Sequence, residues 1–368
     1  MKITVVETIP VDVPLKPRLA IRGSKGVHAR SPFLIVRVHT DVGLIGLGEV
    51  SATPRWSGED AITAAHFIET LIAPEIAGQD AADIAQITRI MNRTLAANPF
   101  TKAAIEMALW DIAGKASGLP VFRLLGGPVR DAVQTKWSVS GVEPEKAAAI
   151  ASWAVEQGFR YLKVKVGIDP EQDVARVRAV RSAIGPTVPL GVDANGGWSP
   201  AVAIETIRRL EEFDISFAEQ PVAPGDLESM AEVRRQAHVP VIADESVYTA
   251  QDARALARAG AADAVSIYIG KSGGIGPARE IAAVAEMTGL SLTIGSNLEL
   301  GVGSAAMLHF ALSITSDLIP CDIIGPLYYE EDVLREPLLI GAGEARALER
   351  PGLGVELDEE KIRRFRVR

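Results

Sequence analysis

The chain opens with alternating apolar and polar positions and then changes to a helical spacing. Residues 33–40 and 44–49 read as two strands separated by a short glycine-containing segment, which predicts a β-hairpin. Helical intervals follow, and the apolar residues of 101–116 fall on one face before Gly118 stops the pattern. These elements predict an α+β domain over residues 1–125.

A second pattern begins near residue 133. Eight short apolar runs alternate with segments rich in alanine, arginine and glutamate, at a period of about 25 residues. The repeat predicts a parallel α/β barrel, a TIM-like (β/α)8 fold, over 126–326, and an open doubly wound sheet is the competing arrangement. Residues 327–368 are expected to pack back on the first domain. The apolar runs are 133–139, 161–166, 188–192, 215–218, 239–243, 264–269, 290–294 and 318–321.

Composition and charge narrow the class of protein. Of the 368 residues, 48% are hydrophobic and 23% are charged, and the formal net charge is −9. This acidic balance does not favour nucleic acid or an anionic membrane surface. The single cysteine, Cys321, excludes an intrachain disulfide and argues against a zinc site. We find neither a signal peptide nor a run of ~18 apolar residues, so a cytoplasmic protein without a membrane span is expected.

Charged residues stand at or just beyond the ends of five of the apolar runs. From position 165 onward they follow one another at intervals of 25 to 28 residues. Active sites of α/β barrels lie at the carboxyl ends of the strands, so these side chains are expected to converge. Five charged strand ends suit a closed ring better than the single switch point of an open sheet. The residues are Lys163, Lys165, Asp193, Glu219, Asp244 and Lys271.

Asp193, Glu219 and Asp244 end three successive runs and are predicted to hold a metal ion. Three carboxylates in contact repel one another, and a hard divalent cation removes that repulsion. Ligation by oxygen alone suits Mg²⁺, with Mn²⁺ as a substitute. The alternative is that each acid caps a helix or pairs with a lysine. Asn195 and Glu245 follow closely on two of these acids and are expected to orient a ligand or a lysine.

Lys163 and Lys165 alternate with apolar residues, so both amines are expected to face the barrel interior. There the two ammonium groups would lower each other's pKa, which would make one of them a usable base. Lys271 follows the sixth run, opposite the second run in a ring of eight. An amine on each face of a metal-bound carboxylate suits removal or delivery of an α-proton through an enediolate.

Five short motifs occur together in the barrel region: Lys-Val-Lys at 163–165, Asp-Ala-Asn at 193–195, Glu-Gln-Pro at 219–221, Asp-Glu-Ser at 244–246 and Lys-Ser-Gly-Gly at 271–274. As a set they resemble the enolase superfamily. In particular they are similar to the muconate lactonizing enzyme (muconate cycloisomerase) subgroup of the mandelate racemase/muconate lactonizing enzyme group. Mandelate racemase itself uses a His–Asp dyad where this chain has Lys271, so the chain does not resemble that subgroup.

The resemblance implies a fold and a set of roles. The fold is a modified barrel of (β/α)7β form with an α+β N-terminal capping domain that the C-terminal segment completes. The expected activity is that of an isomerase that depends on a divalent metal. The implied roles are metal ligation by Asp193, Glu219 and Asp244, acid/base chemistry by Lys165 and Lys271, and electrostatic help from Lys163.

Within the subgroup, a cycloisomerase of the muconate type is the leading interpretation. The segment 295–299, with Asn297 and Glu299, is similar to the one that cycloisomerases carry after the seventh strand. Asp322 has no acid at 324, so the chain lacks the Asp-x-Asp with which dipeptide epimerases hold an α-amino group. N-acylamino acid racemases or epimerases and o-succinylbenzoate synthases stay as alternatives. Two readings from other classes are a metal-independent aldolase with a Schiff-base lysine and a barrel that binds ligand without turnover.

The capping loops supply the remaining candidates. The stretch 13–40 contains no acid and carries several cations, among them Arg22, Lys25 and His28. We expect one of the cations of this stretch to meet a second anionic group of the substrate, such as the distal carboxylate of a dicarboxylate, and Arg22, Lys25 and His28 are the ones to test. A solvated loop is the alternative. Trp56 is expected to wall the pocket or to pack between the domains. The expected partners are a small carboxylate substrate and further copies of the chain in a homo-oligomer.

Overall fold

The computed structural model describes residues 1–28 and 30–367 of the chain, and within them all side chains except those of His28, Arg30 and Ser31. The chain begins with a three-stranded antiparallel sheet, in which Arg30–Thr40 lies between Ile3–Pro14 and Ile45–Val50. Gly43, with φ 81°, forms the turn between the second and third of these strands. The predicted hairpin is therefore confirmed.

The helix predicted over 101–116 is confirmed as Pro99–Ser117, and it packs directly on the strand Ile45–Val50. A Cβ on Gly48 would lie 1.7 Å from the carbonyl oxygen of Ala104, so only glycine allows this close approach. Gly118, with φ 70°, ends the helix in the left-handed conformation. The other helical segments of the capping domain are Pro54–Ser57, Ala61–Phe67, Ile68–Ile72, Ala73–Ile76, Ile84–Thr94 and Val121–Leu124.

The second pattern forms a closed barrel. Seven described strands run parallel and in sequence order, and the chain at 318–322 closes the ring between the last and the first. There the amide of Ile319 donates to Leu292 O at 2.8 Å, and the amide of Lys136 donates to Cys321 O at 2.9 Å. The predicted barrel is confirmed and the open sheet is wrong. The strands are Trp137–Val139, Leu162–Lys165, Leu190–Asp193, Ile215–Glu219, Val241–Ala243, Ala264–Ile267 and Ser291–Ile294.

The apolar run 133–139 is one exception to the predicted strands. It divides into Val133–Gln134, which pairs with Glu344–Arg346 in a small antiparallel sheet, and Trp137–Val139, which is the first barrel strand. Because Val133 and Trp137 are both buried apolar residues, the hydrophobic pattern does not mark the change of partner.

The helices between barrel strands follow the predicted alternation. Pro144, Pro170 and Pro200 each occupy the first turn of a helix, where a missing backbone N–H costs nothing. A short helix, Ile269–Ser272, comes between the sixth strand and its long helix and carries Lys271. The long helices are Pro144–Glu156, Pro170–Ile184, Pro200–Glu211, Leu227–Gln236, Ala250–Ala259, Ile275–Thr288 and Gly301–Ser313.

Two buried glutamates of the capping domain hold it on the barrel. Glu49 accepts from the backbone amides of Leu300 and Gly303 at 2.7 and 2.8 Å. Glu106 accepts from those of Ile275 and Gly276 at 2.7 and 2.8 Å. Each carboxylate thus caps the start of a barrel helix, where free N–H groups and the helix dipole favour a negative charge. These contacts fix the position of the capping domain over the strand ends.

The C-terminal segment contacts both parts of the molecule. Its hairpin, Leu339–Gly341 and Glu344–Arg346, extends the small sheet with Val133–Gln134. Its helix, Glu359–Phe365, is followed by Val367, whose amide donates to Pro10 O of the first strand at 3.0 Å. Short elements not yet given are Pro17–Leu19, Ile21–Gly23, Gly26–His28 and Gly325–Tyr328. None of the helices in the described part of the chain has the length and apolar character needed to span a bilayer.

Candidate active site

A cavity of about 430 Å³ lies between the carboxyl ends of the barrel strands and the capping domain. This volume suits a small-molecule ligand. Two capping segments cover it, the hairpin Ile21–Gly23 and Gly26–His28 and the short helix Pro54–Ser57. The polar side chains in its wall belong to Lys25, Thr53, Arg55, Trp56, Ser138, Lys163, Lys165, Asn195, Tyr268, Ser296, Asn297 and Asp322.

Lys163 and Lys165 both reach the cavity, because alternate residues of the second barrel strand point the same way. The Lys163 Nζ lies 3.0 Å from Glu219 Oε2, 3.0 Å from Asp322 Oδ2 and 3.4 Å from Asp193 Oδ2. The Lys165 Nζ lies 2.6 Å from Asp193 Oδ2 and 2.9 Å from Asn195 Oδ1. Lys163 is thus enclosed by three carboxylates, whereas Lys165 has two partners and a side chain that is 16% exposed.

Lys271 and Asp244 form a second group beneath the cavity wall. The Lys271 Nζ donates to Asp244 O at 2.7 Å, to Asp244 Oδ1 at 2.7 Å and to Ser266 O at 2.9 Å. The hydroxyl of Tyr268 donates to the other oxygen, Asp244 Oδ2, at 2.7 Å. The Lys271 ammonium lies 4.4 Å from the centroid of the Tyr268 ring and is fully buried. Its three N–H groups therefore all face oxygens of the protein.

The carboxylates dominate the electrostatics of the lysine pair. Burial lowers the pKa of Lys163, but the negative charges of Asp322 and Glu219 more than offset it, and the pKa lies well above its ordinary value. Burial also lowers the pKa of Lys165, but the negative charge of Asp193 more than offsets this effect, so the pKa is raised. Lys163 does lower the pKa of Lys165, as predicted, but this effect is smaller than those of burial and Asp193. Among these side chains as they lie, both lysines are ammonium ions.

The same cluster of charges shifts the pKa values of Asp193 and Glu219 in opposite directions. Burial raises the pKa of Asp193, but Lys165 and Lys163 lower it to about 2. Burial raises the pKa of Glu219, and although Lys163 opposes this, Asp193 and Asp244 help to bring it to about 8. Glu219 is therefore the acid whose negative charge is least compensated by the surrounding side chains.

The oxygen donors fit a hard divalent cation. Glu219 Oε1 is buried and has no hydrogen-bond partner in the described residues, and an unpaired buried carboxylate oxygen is costly unless a cation meets it. As the side chains lie, no three acids, histidines or cysteines of the described residues surround a single point, because Lys163 lies between Asp193 and Glu219. Carboxylate oxygens without sulfur or imidazole are the ligands that Mg²⁺ prefers.

Glu245 joins the capping loops to the barrel. Its Oε1 accepts from Trp56 Nε1 at 3.1 Å and from Asn195 Nδ2 at 3.0 Å, and the Lys25 Nζ lies 3.6 Å away. Trp56 and Lys25 come from the two capping segments, while Asn195 belongs to the barrel. Burial, together with the neighbouring Asp244, raises the pKa of Glu245 to about 7. One carboxylate thus receives contacts from three separate parts of the site.

The other predicted residues have different surroundings. The side chain of Arg22 is exposed and lies outside the cavity wall. The side chain of His28 lies outside the described residues. Asn297 lines the cavity and donates to Ser51 O at 3.1 Å. Glu299 accepts from Ser296 Oγ at 2.5 Å and from the Asn297 amide at 3.0 Å, so it shapes the loop rather than the cavity wall.

The structure adds four residues that sequence reasoning did not select. Asp322 follows the eighth apolar run just as Asp193 follows the third, and this shared position is the signal that could have identified it. Lys136, which is fully buried, lies 3.0 Å from Asp322 through its Nζ. Tyr268 and Arg55 line the cavity, and neither has a pattern in the sequence that separates it from an ordinary aromatic or surface cation.

A capped barrel with carboxylates and lysines at its strand ends defines an enzyme of the enolase superfamily. Residues 3–126 match the N-terminal domain of mandelate racemase and muconate lactonizing enzyme, and residues 145–361 match the enolase C-terminal domain-like family. The chain belongs to the mandelate racemase/muconate lactonizing enzyme family, and within it to the muconate lactonizing enzyme subgroup. The resemblance read from the motifs is confirmed.

Three relatives represent the activities found among similar proteins. The N-succinyl-L-Arg/Lys racemase of Bacillus cereus is 34% identical over 371 residues, covering 100% of this chain and 98% of the relative. The crystal structure of 2-chloromuconate cycloisomerase from Rhodococcus opacus has a TM-score of 0.97, 34% identity and 100% coverage of both chains. That of a dipeptide epimerase from Cytophaga hutchinsonii, complexed with Mg and the dipeptide D-Ala-L-Val, has a TM-score of 0.94, 34% identity and coverage of 99% and 98%.

These relatives share a reaction class. A racemase, a cycloisomerase and an epimerase are all isomerases, and each matches this chain along nearly its whole length. The chain is therefore an isomerase of the enolase superfamily. This membership removes the support for a Schiff-base aldolase and for a barrel without turnover.

Proposed function

We propose that the chain catalyses Mg²⁺-dependent proton transfer at the carbon α to a carboxylate, in the cycloisomerisation of a muconate-type dicarboxylate. In this reaction one carboxylate adds within the molecule across a double bond, and a proton goes to the carbon α to the other carboxylate. The observation that carries the proposal is the environment of Lys165, whose ammonium faces the cavity and keeps one N–H that has no partner among the described residues. Proton transfer needs such a donor within reach of the substrate.

The metal role rests on the acids of three successive strands. In the proposal Asp193, Glu219 and Asp244 hold the ion, as the unpartnered Glu219 Oε1 supports. When bound, Mg²⁺ supplies positive charge that makes the α-hydrogen of a carboxylate more acidic. The related dipeptide epimerase complexed with Mg supports the choice of metal. Lys163 contributes a further fixed positive charge beside Glu219 and Asp193.

The charges at the site support an anionic substrate. Among the described residues the site and its cavity wall contain six cations and five acids, which leaves one excess positive charge if all are ionised. A divalent cation raises the excess to three positive charges, and a substrate with two carboxylates lowers it to one. Such a substrate brings the site closer to neutrality, which matters because unpaired charge in a buried site is costly. The eleven residues are Lys25, Arg55, Lys136, Lys163, Lys165, Lys271, Asp193, Glu219, Asp244, Glu245 and Asp322.

Asp322 helps to choose between the alternatives. Its carboxylate is already paired with Lys136 and Lys163, each at 3.0 Å, and the side chain at the second position of the motif is that of Ile324. Although burial raises the pKa of Asp322, these two lysines lower it, so the group is ionised and compensated. An α-ammonium of a free dipeptide would find no uncompensated acid there. This favours muconates and N-acylated amino acids over free dipeptides.

Lys271 favours the cycloisomerase over the racemase. Racemisation needs a proton carrier on each face of the substrate, whereas cycloisomerisation needs one. All three N–H groups of Lys271 face protein oxygens beneath Tyr268, and Lys271 does not line the cavity. Its role in the proposal is to neutralise Asp244. An N-acylamino acid racemase is the second candidate, because Lys271 follows the sixth strand, across the ring from Lys165, and the Bacillus cereus racemase is 34% identical.

The test of the function is hydrogen exchange in D₂O with muconates, N-acylated amino acids and free dipeptides as substrates. We expect Mg²⁺-dependent lactone formation from a muconate, with deuterium added at one face of the α-carbon, and no turnover of free dipeptides. Deuterium should enter only when Mg²⁺ is present and should be lost in EDTA. Exchange that continues unchanged in EDTA would contradict the metal role. Inversion of an N-acylated amino acid without turnover of muconate would support the racemase instead.

Lys25 is expected to select substrates with a second carboxylate. Lys25 lines the cavity, its side chain is 29% exposed, and its Nζ lies 3.6 Å from its carboxylate partner Glu245, so the ammonium can also meet a substrate carboxylate. Lys25→Ala should raise KM for a dicarboxylate about 10-fold, equivalent to ~1.4 kcal/mol, with a small change in kcat. The matched control is Arg22→Ala, since that side chain is exposed outside the cavity wall. Equal effects of the two substitutions on KM would show that Lys25 does not contact the second carboxylate of the substrate.

A further inference from the structure

Tyr268 makes an unusual set of contacts for a residue at the end of a barrel strand. Its hydroxyl donates to Asp244 Oδ2 at 2.7 Å, and the ring lines the cavity. The opposite oxygen of the same carboxylate, Oδ1, accepts from Lys271 at 2.7 Å. The side chain of Tyr268 is 4% exposed, so its hydrogen bond is shielded from water.

These two donors fix the plane of the Asp244 carboxylate. Rotation about the Cβ–Cγ bond moves both oxygens, so a carboxylate held at both oxygens loses two buried hydrogen bonds on turning, whereas one held at a single oxygen loses one. Breaking such a bond leaves a buried polar group unsatisfied and costs about 1–3 kcal/mol. Each oxygen keeps a second lone pair, so the hydrogen bonds do not prevent the carboxylate from ligating a cation.

The Tyr268 ring is itself held in place. It stacks on the indole of Trp56 with centroids 5.3 Å apart and an interplanar angle of 13°. Trp56 belongs to the capping helix Pro54–Ser57 and is anchored by its own hydrogen bond to Glu245. The ammonium of Lys271 also contacts the ring, 4.4 Å from its centroid and 6.0 Å from that of Trp56. The hydroxyl is thus aimed at Asp244 by contacts from both the capping domain and the barrel.

From this geometry we infer that Tyr268 is a positioning residue for Asp244, which it orients for Mg²⁺. The inference rests on the metal role proposed above for Asp244. Residues that hydrogen-bond to metal ligands tune metal affinity, and their loss costs roughly 10- to 100-fold. Tyr268 therefore acts on the metal through Asp244 and does not itself ligate it.

The test compares Tyr268→Phe with a matched control, Tyr248→Phe. Tyr248 lies in the same aromatic cluster, with its ring centroid 6.2 Å from that of Trp56 and 5.7 Å from the Lys271 ammonium. Unlike Tyr268, it is outside the cavity wall, and its hydroxyl makes no hydrogen bond to a residue in the described part of the chain. Both substitutions remove one hydroxyl and keep the ring, so they differ in the contact to Asp244.

Mg²⁺ binding to the wild type and both variants should be measured by calorimetry, together with thermal unfolding in EDTA. We expect Tyr268→Phe to weaken Mg²⁺ binding about 10- to 100-fold, and Tyr248→Phe to leave it within about twofold. A lower melting temperature of Tyr268→Phe with unchanged Mg²⁺ affinity would show a structural role and overturn the inference. A wild type that does not bind Mg²⁺ would overturn the proposed metal role instead, so the two failures are distinguishable.

A crystal structure of the Mg²⁺-bound wild-type protein tests the same inference without a substitution, in case Tyr268→Phe does not fold. The expected result is a Tyr268 hydroxyl within hydrogen-bond distance of Asp244, with a different lone pair of that carboxylate on the metal. An Asp244 side chain that has turned away from Tyr268 to reach the metal would overturn the inference.

Discussion

Replacing Lys165 with alanine is expected to reduce α-proton exchange by about 10²- to 10⁴-fold, the usual contribution of a positioned acid or base. Among the four barrel lysines Lys136, Lys163, Lys165 and Lys271, Lys165 combines a place in the cavity wall with an N–H that has no partner in the described part of the chain. Its ammonium contacts Asp193 and Asn195, and its side chain is 16% exposed. Lys163 also reaches the cavity, but three carboxylates surround its ammonium. Proton transfer therefore has one suitable carrier on this face.

The measurement is deuterium incorporation from D₂O followed by NMR, with Mg²⁺ at saturation. Lys146→Ala is the matched control, because Lys146 is exposed on the helix Pro144–Glu156, and it should leave the exchange rate unchanged. Mg²⁺ affinity should be measured in the same variants, since Lys165 touches Asp193. A Lys165→Ala protein that binds Mg²⁺ and exchanges its substrate at the wild-type rate would show that another group moves the proton.

The site residues that could be predicted from the sequence share one property: each stands at the same position in the repeating unit of the barrel, at the end of an apolar run. Asp193, Glu219 and Asp244 each end an apolar run, and the barrel turns equal places along the sequence into neighbouring places on a ring. The period was visible because every strand is followed by a helix of similar length. Asp322 has the same place in the eighth run, so the same rule applied once more would have included it.

Contacts that cross between domains could not be predicted in this way. Trp56 and Glu245 are 189 residues apart and meet because the capping domain is clamped over the strand ends. The contact between Tyr268 and Asp244 depends on the direction of one side chain at the end of a strand. The order of the lysine pKa effects depends on distances of about 3 Å, which no spacing in the sequence encodes.

Lys25 and Arg22 belong to one loop, and the sequence does not show which of their side chains lines the cavity. Both are cations in a stretch without acids, and the sequence gives no reason to prefer either. The hairpin places the Lys25 side chain in the cavity wall and the Arg22 side chain in solvent. Arg22 belongs to the strand Ile21–Gly23 and Lys25 to the turn that follows it, so neither side chain can be assigned to the cavity until the register and position of this hairpin are known.

Glu219→Gln is expected to separate the metal role of the acids from their role in stability. Burial and the neighbouring Asp193 and Asp244 raise the pKa of Glu219 to about 8 against the opposing effect of Lys163. A glutamine keeps an oxygen that can accept from Lys163 and removes the repulsion among the carboxylates. The metal-free variant should therefore unfold at a temperature no lower than that of the wild type. With a pKa of about 8 the Glu219 carboxyl is largely protonated at pH 7 in the metal-free protein, so a neutral side chain of the same shape should cost little stability.

The same substitution should remove most of the stabilisation by Mg²⁺. At a Mg²⁺ concentration 100 times Kd, binding adds about 2.7 kcal/mol to the free energy of unfolding, and a 100-fold weaker site adds only ~0.4 kcal/mol. Thermal unfolding with and without Mg²⁺ measures both terms, with Glu212→Gln as the control because Glu212 is exposed at a helix end. Equal Mg²⁺ stabilisation of Glu219→Gln and wild type would contradict ligation by Glu219. A large loss of stability without Mg²⁺ would show instead that Glu219 serves mainly as the ionic partner of Lys163.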